Sequence, residues 1–446
     1  MKRICAGIAA VFLLFSTASG KAAAESINDS GMTLTLSLPQ AIERALGNNA
    51  LKRLAHERIN AATGRKIQDR SDLLPHLSAG VSQARTYWDN LAAIGFQDFG
   101  VIGPYNSFDA RVHLVQRIFD LGAFSKLKAA DLNVIIARLQ DDLARDQITV
   151  SAILSYLDTL NAEETLKAVD QDILLAHELT SLAEHQLNAG IVTNLDLLRA
   201  KTKLAQENAR RLESVEHLQA ARLQLARVTG IPLGSTITLS ESLDFYAEPL
   251  PSIDGSIRQA FCDRLEMTIA GKKVAYRDAE LAKAVRSRLP TIDAGGNYGR
   301  AGSKPKTQVH DVAQIFVRVN LPIFEGGLAA GQIKEGQSLK TQEEILRDDI
   351  KVQIEEDVRL AVSALETSTS QVKAAKEAFD LARDQEQLAK DQYASGVANN
   401  IELIDAHSVL EHAREAYISM LAKCHMTRAN YAAAIGRIQT FYLNHP

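Results

Sequence analysis

The chain has 446 residues, a net charge of −4, and 46% apolar but only 5% aromatic residues. It is longer than one ordinary core requires. Its scarcity of aromatics suits long, thinly packed helices better than a thick globular interior, and the lack of a basic excess excludes nucleic acid as a partner.

At the N-terminus Lys2 and Arg3 precede the apolar run Ile4–Phe15, and Ala22-Ala23-Ala24 offers small residues for cleavage. This predicts a signal peptide over 1–24. The run falls short of the ~20 residues that a membrane-spanning helix needs. A short N-terminal segment, 25–38, follows. Cys262 and Cys424 are the cysteines left after cleavage, too few for a disulfide framework.

The first structural repeat is predicted over 39–230. It opens with a helix rich in Ala, Leu, Arg and Glu, ended by Pro75. Leu77, Ala79 and Val81 then alternate with small polar residues. Phe108, Ala110, Val112, Leu114 and Ile118 alternate with Asp109, Arg111, His113 and Arg117, the period of a strand with one apolar face. Together they predict a hairpin whose tip, near Trp88–Tyr105, carries Tyr87, Trp88, Phe96, Phe99 and Tyr105. Aromatics near strand ends fit a membrane interface. Two helices without proline come next, about Ser125–Leu187 and Thr193–Val228. Ile136, Leu143, Val150 and Leu157 recur at every seventh residue, as in packed helix pairs. Gly190 supplies the left-handed residue that ends the first, and Thr193 or Asn194 can cap the second.

A linker, 231–253, holds Pro232, Pro249 and Pro251. The second repeat, 254–436, takes the same order: a helix ended by Pro290, a hairpin, and two long helices joined at Gly396, with Asn399 or Asn400 as cap. Its second strand alternates Ile315, Val317, Val319, Leu321 and Ile323 with Phe316, Arg318 and Asn320. HQLNAGIVTNLDLLRA and DQYASGVANNIELIDA align without a gap, and Gly230 pairs with Gly436 at the same offset. The chain is a tandem duplication ending in a tail, 437–446.

The alternation predicts that Val112, Leu114, Val317 and Val319 face lipid while Arg111, His113 and Arg318 face a lumen. Four strands cannot close by themselves, because membrane barrels need about eight or more and an open edge leaves backbone groups unpaired in lipid. The chain must therefore oligomerise. Gly190, Ile191, Gly396 and Val397 end the longest projections, which predicts docking tips for a partner's helical hairpins. No phosphate loop, zinc-binding helix motif or nucleophile elbow is present, so no enzyme, cofactor or metal site is expected. His407 and His412 are spaced so that they do not share a helix face.

The segments LxLPQAIERALGNN, LLPHLSAG, RLPTIDAG, QRIFDLG and LPIFEGG, with the AGxxxNLDLLRA and SGxxxNIELIDA tips, resemble the TolC-like outer-membrane efflux proteins over essentially the whole mature length. The resemblance implies a mainly α fold with a membrane β-barrel. A homotrimer would share one barrel of four strands per chain, and its long helices would form a tube across the periplasm. It implies an export duct working with a periplasmic adaptor and an inner-membrane transporter, for drugs, metals or proteins in type I secretion. In that family, acids six and nine positions after the second tip glycine line the periplasmic entrance, positions held here by Glu402 and Asp405. A Tyr three positions before that glycine can meet an Asp six after the first, here Tyr393 and Asp196, as an entrance latch. An Arg that family members can carry two positions after the second glycine is Ala398 here. The alternative is a periplasmic coiled-coil scaffold without a pore.

Overall fold

The computed structural model describes residues 33–88, 102–245, 249–395 and 400–441. The expected signal peptide, the aromatics Phe96 and Phe99, and the tip residues Gly396 and Val397 lie outside the described residues. The same series of elements occurs twice. The first contains α1 (Leu38–Asn48), α2 (Ala50–Ser71), β2 (His76–Trp88), β3 (Ile102–Phe119), α3 (Leu121–Asn188) and α4 (Asn194–Thr229). The second contains α5 (Ile253–Asp263), α6 (Leu265–Arg286), β5 (Thr291–Gly302), β6 (Val309–Asn320), α7 (Leu328–Ala394) and α8 (Asn400–Ala434). Two short strands, β1 (Thr33–Leu36) and β4 (Thr236–Leu239), pair in parallel, and a last turn, α9 (Ile438–Phe441), follows α8.

Local chemistry sets most helix ends. Ser37 and Gln40 form a capping box at α1. The Asp120 carboxylate accepts from Ala123 N at 2.9 Å and starts α3. That helix is 68 residues long, about 100 Å at the standard rise. Gly190 ends it at φ +73°, with Ile191 N donating to Gln186 O at 2.9 Å, the bond that closes a left-handed cap.

The helices expected as unbroken over 39–73 and 254–289 are each split, at Asn49 and at Arg264, whose backbones are extended. The breaks are made by the fold. Gly230 and Gly436, at φ +71° and +76°, sit directly against them. A Cβ on Gly230 would lie 2.5 Å from Asn48 Cβ, and one on Gly436 would lie 2.8 Å from the Asp263 carbonyl carbon. Asn49 also donates to Val228 O at 3.2 Å. An L residue in this conformation costs roughly 1–2 kcal/mol before any clash. Gly230→Ala and Gly436→Ala should therefore each lower the thermal unfolding midpoint by several degrees. Gly234→Ala, where the new methyl would meet nothing within 4 Å, should leave it unchanged.

Strands β2, β3, β5 and β6 form one antiparallel sheet in that order, with β2 and β6 at its edges. Leu321 and Ile323, expected in the last strand, lie beyond it, because Pro322 cannot continue the ladder. The pairing of β1 with β4 had no counterpart in the predicted elements. The largest apolar cluster gathers around that pair: Leu36, Ile153, Tyr156, Leu225, Ile237 and Ile438 are buried there, and the Tyr156 hydroxyl donates to Leu36 O at 3.2 Å. Elsewhere the packing is thin and rich in alanine, as the composition requires.

Candidate pore face and periplasmic mouth

The register places Val112, Leu114, Val317 and Val319 on one face of the sheet, with Leu77, Tyr298 and Ile315. Ile315 is 92% exposed, Val317 70% and Val319 64% in the single chain. The opposite face carries Arg111, His113, Asn297, Gln314 and Arg318. A polar ladder runs across it. Arg111 pairs with Asp109 at 2.6 Å and donates to Asn297 at 3.4 Å, and Asn297 donates to Gln314 at 3.1 Å. Arg117 reaches Asp293 at 3.4 Å. Phe316 lies on this face too. Its ring covers Gly295 and stacks under the Arg318 guanidinium, 5.1 Å from the ring centre.

At the far end of the helices, Ile191 is 71% exposed beside Gly190. Thr193 is the cap of α4, in a reciprocal box with Asp196. Asn400 opens α8, and its side chain crosses to Asp196 O at 3.3 Å.

Tyr393 and Asp196, the expected latch, do not bond each other within the chain. The Tyr393 hydroxyl donates to Gln186 Oε1. The Asp196 carboxylate accepts from Thr193 Oγ1 at 2.7 Å and Thr193 N at 3.0 Å, and lies 3.5 Å from Arg199. Those two Thr193 bonds hold its pKa below the usual carboxylate range. Burial raises the Tyr393 phenol, so it remains a donor.

Glu402 and Asp405 are exposed on α8, whereas Leu403, Ala406, His407 and Leu410 of the same helix are buried. Leu403 and Ala406 pack with Leu179 of α3 and Ala389 of α7, an apolar plug joining the two helical hairpins. Next to this plug lies a group that was not expected. His407 and Glu411 share one face of α8 at the i, i+4 spacing, and both are buried against Asp172 of α3. The spacing to Glu411 was legible; the pairing with Asp172 required the fold.

The outer membrane efflux protein family model matches residues 41–231 and 256–437. Outer membrane protein TolC of Escherichia coli is 23% identical over 426 residues, covering 92% of this chain and 84% of that protein. Alkaline protease secretion protein AprF of Pseudomonas aeruginosa is 22% identical over 383 residues, covering 84% and 79%. Among solved structures, the Campylobacter jejuni CmeC outer membrane channel superposes with a TM-score of 0.77 at 18% identity, covering 90% of this chain and 86% of that one. The family match spans both repeats, and the fold agrees with it: this chain belongs to the outer membrane efflux protein family.

Proposed function

We propose that three copies of this chain form one export duct, with a shared barrel in the outer membrane and a helical tube reaching into the periplasm. The observation that carries this reading is the sheet. Its four strands are 12–18 residues long, enough to cross a bilayer, and they expose one apolar face. Two edges in lipid would leave ladder groups unpaired. Three chains supply twelve strands, a closed barrel with Val112, Leu114, Val317 and Val319 toward lipid and the Arg111 ladder toward the lumen. The relatives are named for efflux and for protease secretion, so the duct would serve an inner-membrane transporter through a periplasmic adaptor. The mass of the detergent-solubilised protein tests the assembly: three chains are expected, and a monomer would overturn it.

At the mouth, three copies of Glu402 and Asp405 would ring one axis and favour cations. Glu402→Gln with Asp405→Asn should weaken block by multivalent cations at least tenfold in planar bilayers. Unchanged block would place the acids away from the pore. Tyr393 would hold the second hairpin to the first through Gln186, a neutral hydrogen bond worth about 0.5–1.5 kcal/mol in each chain. Tyr393→Phe and Gln186→Leu should raise single-channel conductance to a similar degree. If Tyr393→Phe has no effect while trimers persist, the tyrosine only packs.

A further inference from the structure

The two hairpins of the sheet share one register. In β2 and β3, His76 pairs with Val115, Leu77 with Leu114 and Ser82 with Asp109. At the corresponding positions of β5 and β6, Thr291 pairs with Asn320, Ile292 with Val319 and Asn297 with Gln314. The correspondence runs on into the helices. Lys66 of α2 reaches Asp131 of α3 at 2.8 Å. Their counterparts, Leu281 of α6 and Gly336 of α7, also meet: a Cβ on Gly336 would lie 3.2 Å from Leu281. The sheet is thus two equivalent hairpins side by side, joined through β3 and β5. That join is antiparallel, with Leu114 opposite Gly296, His113 opposite Asn297 and Phe119 opposite Ile292.

The outer edges, β2 and β6, pair with no further strand among the described residues. Phe119, opposite Ile292, is 37% exposed, whereas its counterpart Phe324, beyond β6, is 88% exposed. On β2, Leu77 and Val81 are equally bare, at 72% and 77%. Under the trimeric reading, on which this inference rests, three copies bring six such hairpins to one ring. A head-to-tail contact repeated between copies closes a ring when its rotation allows, and the β3–β5 join is one that equivalent hairpins of this chain already make. We propose that the join between copies repeats the join within the chain. β6 of one copy then pairs antiparallel with β2 of the next. Val319 lies opposite Val81 of the partner subunit, and Arg318 opposite Ser82 of the partner subunit.

Three features of the two edges agree with this register. Val319 and Val81 both belong to the apolar face, and Arg318 and Ser82 both belong to the face of the polar ladder. A slip of one residue would turn every apolar side chain of one strand to the other face, so the nearest competing registers lie two residues away. The large ring of Phe316 falls opposite the small Ala84 of the partner subunit. Within the chain, the ladder shifts between Arg117 and Phe119. The counterpart positions hold Pro322 and Phe324, and proline is tolerated at such an irregularity but not in a regular ladder.

Directed disulfide formation in the full-length protein, in its membrane and with Cys262→Ala, tests the register. Directly opposed residues come within reach of a disulfide, whereas diagonal neighbours, about 7–8 Å apart, do not. Val319→Cys with Val81→Cys, and Arg318→Cys with Ser82→Cys, should each yield chains linked in threes on non-reducing denaturing gels. Val319→Cys with Gln83→Cys or with Ala79→Cys should link at least tenfold more slowly. His113→Cys with Asn297→Cys, the counterpart pair inside one chain, should close without a higher band and shows that the oxidant reaches the sheet. The two test pairs lie on opposite faces, so failed assembly in one leaves the other to decide. The mass of each detergent-solubilised variant separates the outcomes. Intact trimers that link faster at a shifted pair, or at no pair, overturn the register and leave the trimer standing. Monomers without links overturn the trimeric reading, and the register with it.

Discussion

Arginine in place of Ile315 is expected to abolish stable trimers. Ile315 lies in the middle row of the sheet, beside Gly296 of β5, with Leu114 of β3 on the far side of that glycine, and it is almost wholly exposed on the apolar face. If that face meets lipid, a midplane arginine costs about 2–4 kcal/mol in each chain, and three chains carry it together. Val317→Arg, nearer the strand end, should reduce trimers less, because the cost falls toward the interface. His113→Arg, on the face of the polar ladder, should be tolerated. His113 is the better control than Phe316, whose ring covers Gly295. Heat-resistant trimers on gels read all three variants. Loss in His113→Arg with Ile315→Arg tolerated would show that the faces are assigned the wrong way, and equal effects in the two would show that neither face is set apart by lipid.

Tryptophan at Gly190 is expected to abolish export while leaving the trimer intact. The glycine adopts φ +73°, and no atom lies within 4 Å of where its Cβ would be. Substitution there strains a turn without striking a neighbour, so the damage falls on whatever docks against the tip. Gly190 and Ile191 end a projection about 100 Å long, which in the proposed duct would be the part farthest from the membrane and the first that an adaptor would meet. Export by cells carrying Gly190→Trp should drop at least tenfold, with normal trimer levels in the outer membrane. Normal export would make the tip a plain surface turn.

The parts of this fold written in local patterns were legible. Period two gave the strands, and freedom from proline gave the long helices. The matched glycines at Gly190 and Gly396, and at Gly230 and Gly436, gave the duplication. The breaks at Asn49 and Arg264 were not legible, since neither carries a proline or glycine; they depend on glycines that arrive from far along the chain. The β1–β4 pair escaped for a similar reason, because four residues of strand mean little until a partner some 200 residues away is beside them. The mouth was half legible. Thr193-x-x-Asp196 is a capping pattern in plain view, and it engages the Asp196 carboxylate in the first turn of α4. His407 and Glu411 are neighbours on α8 at i, i+4, a spacing visible in the sequence, whereas Asp172 joins them only through the fold.

The central claim is that this chain makes a conducting pore through the outer membrane. Current through planar bilayers containing the purified protein tests it most directly. Discrete steps of uniform size are predicted, cation-preferring and sensitive to multivalent cations at the Glu402 and Asp405 rings. A protein that enters the bilayer or remains on it and gives no steps, under conditions where its trimer is intact, would contradict the duct and leave a scaffold of coiled helices in its place.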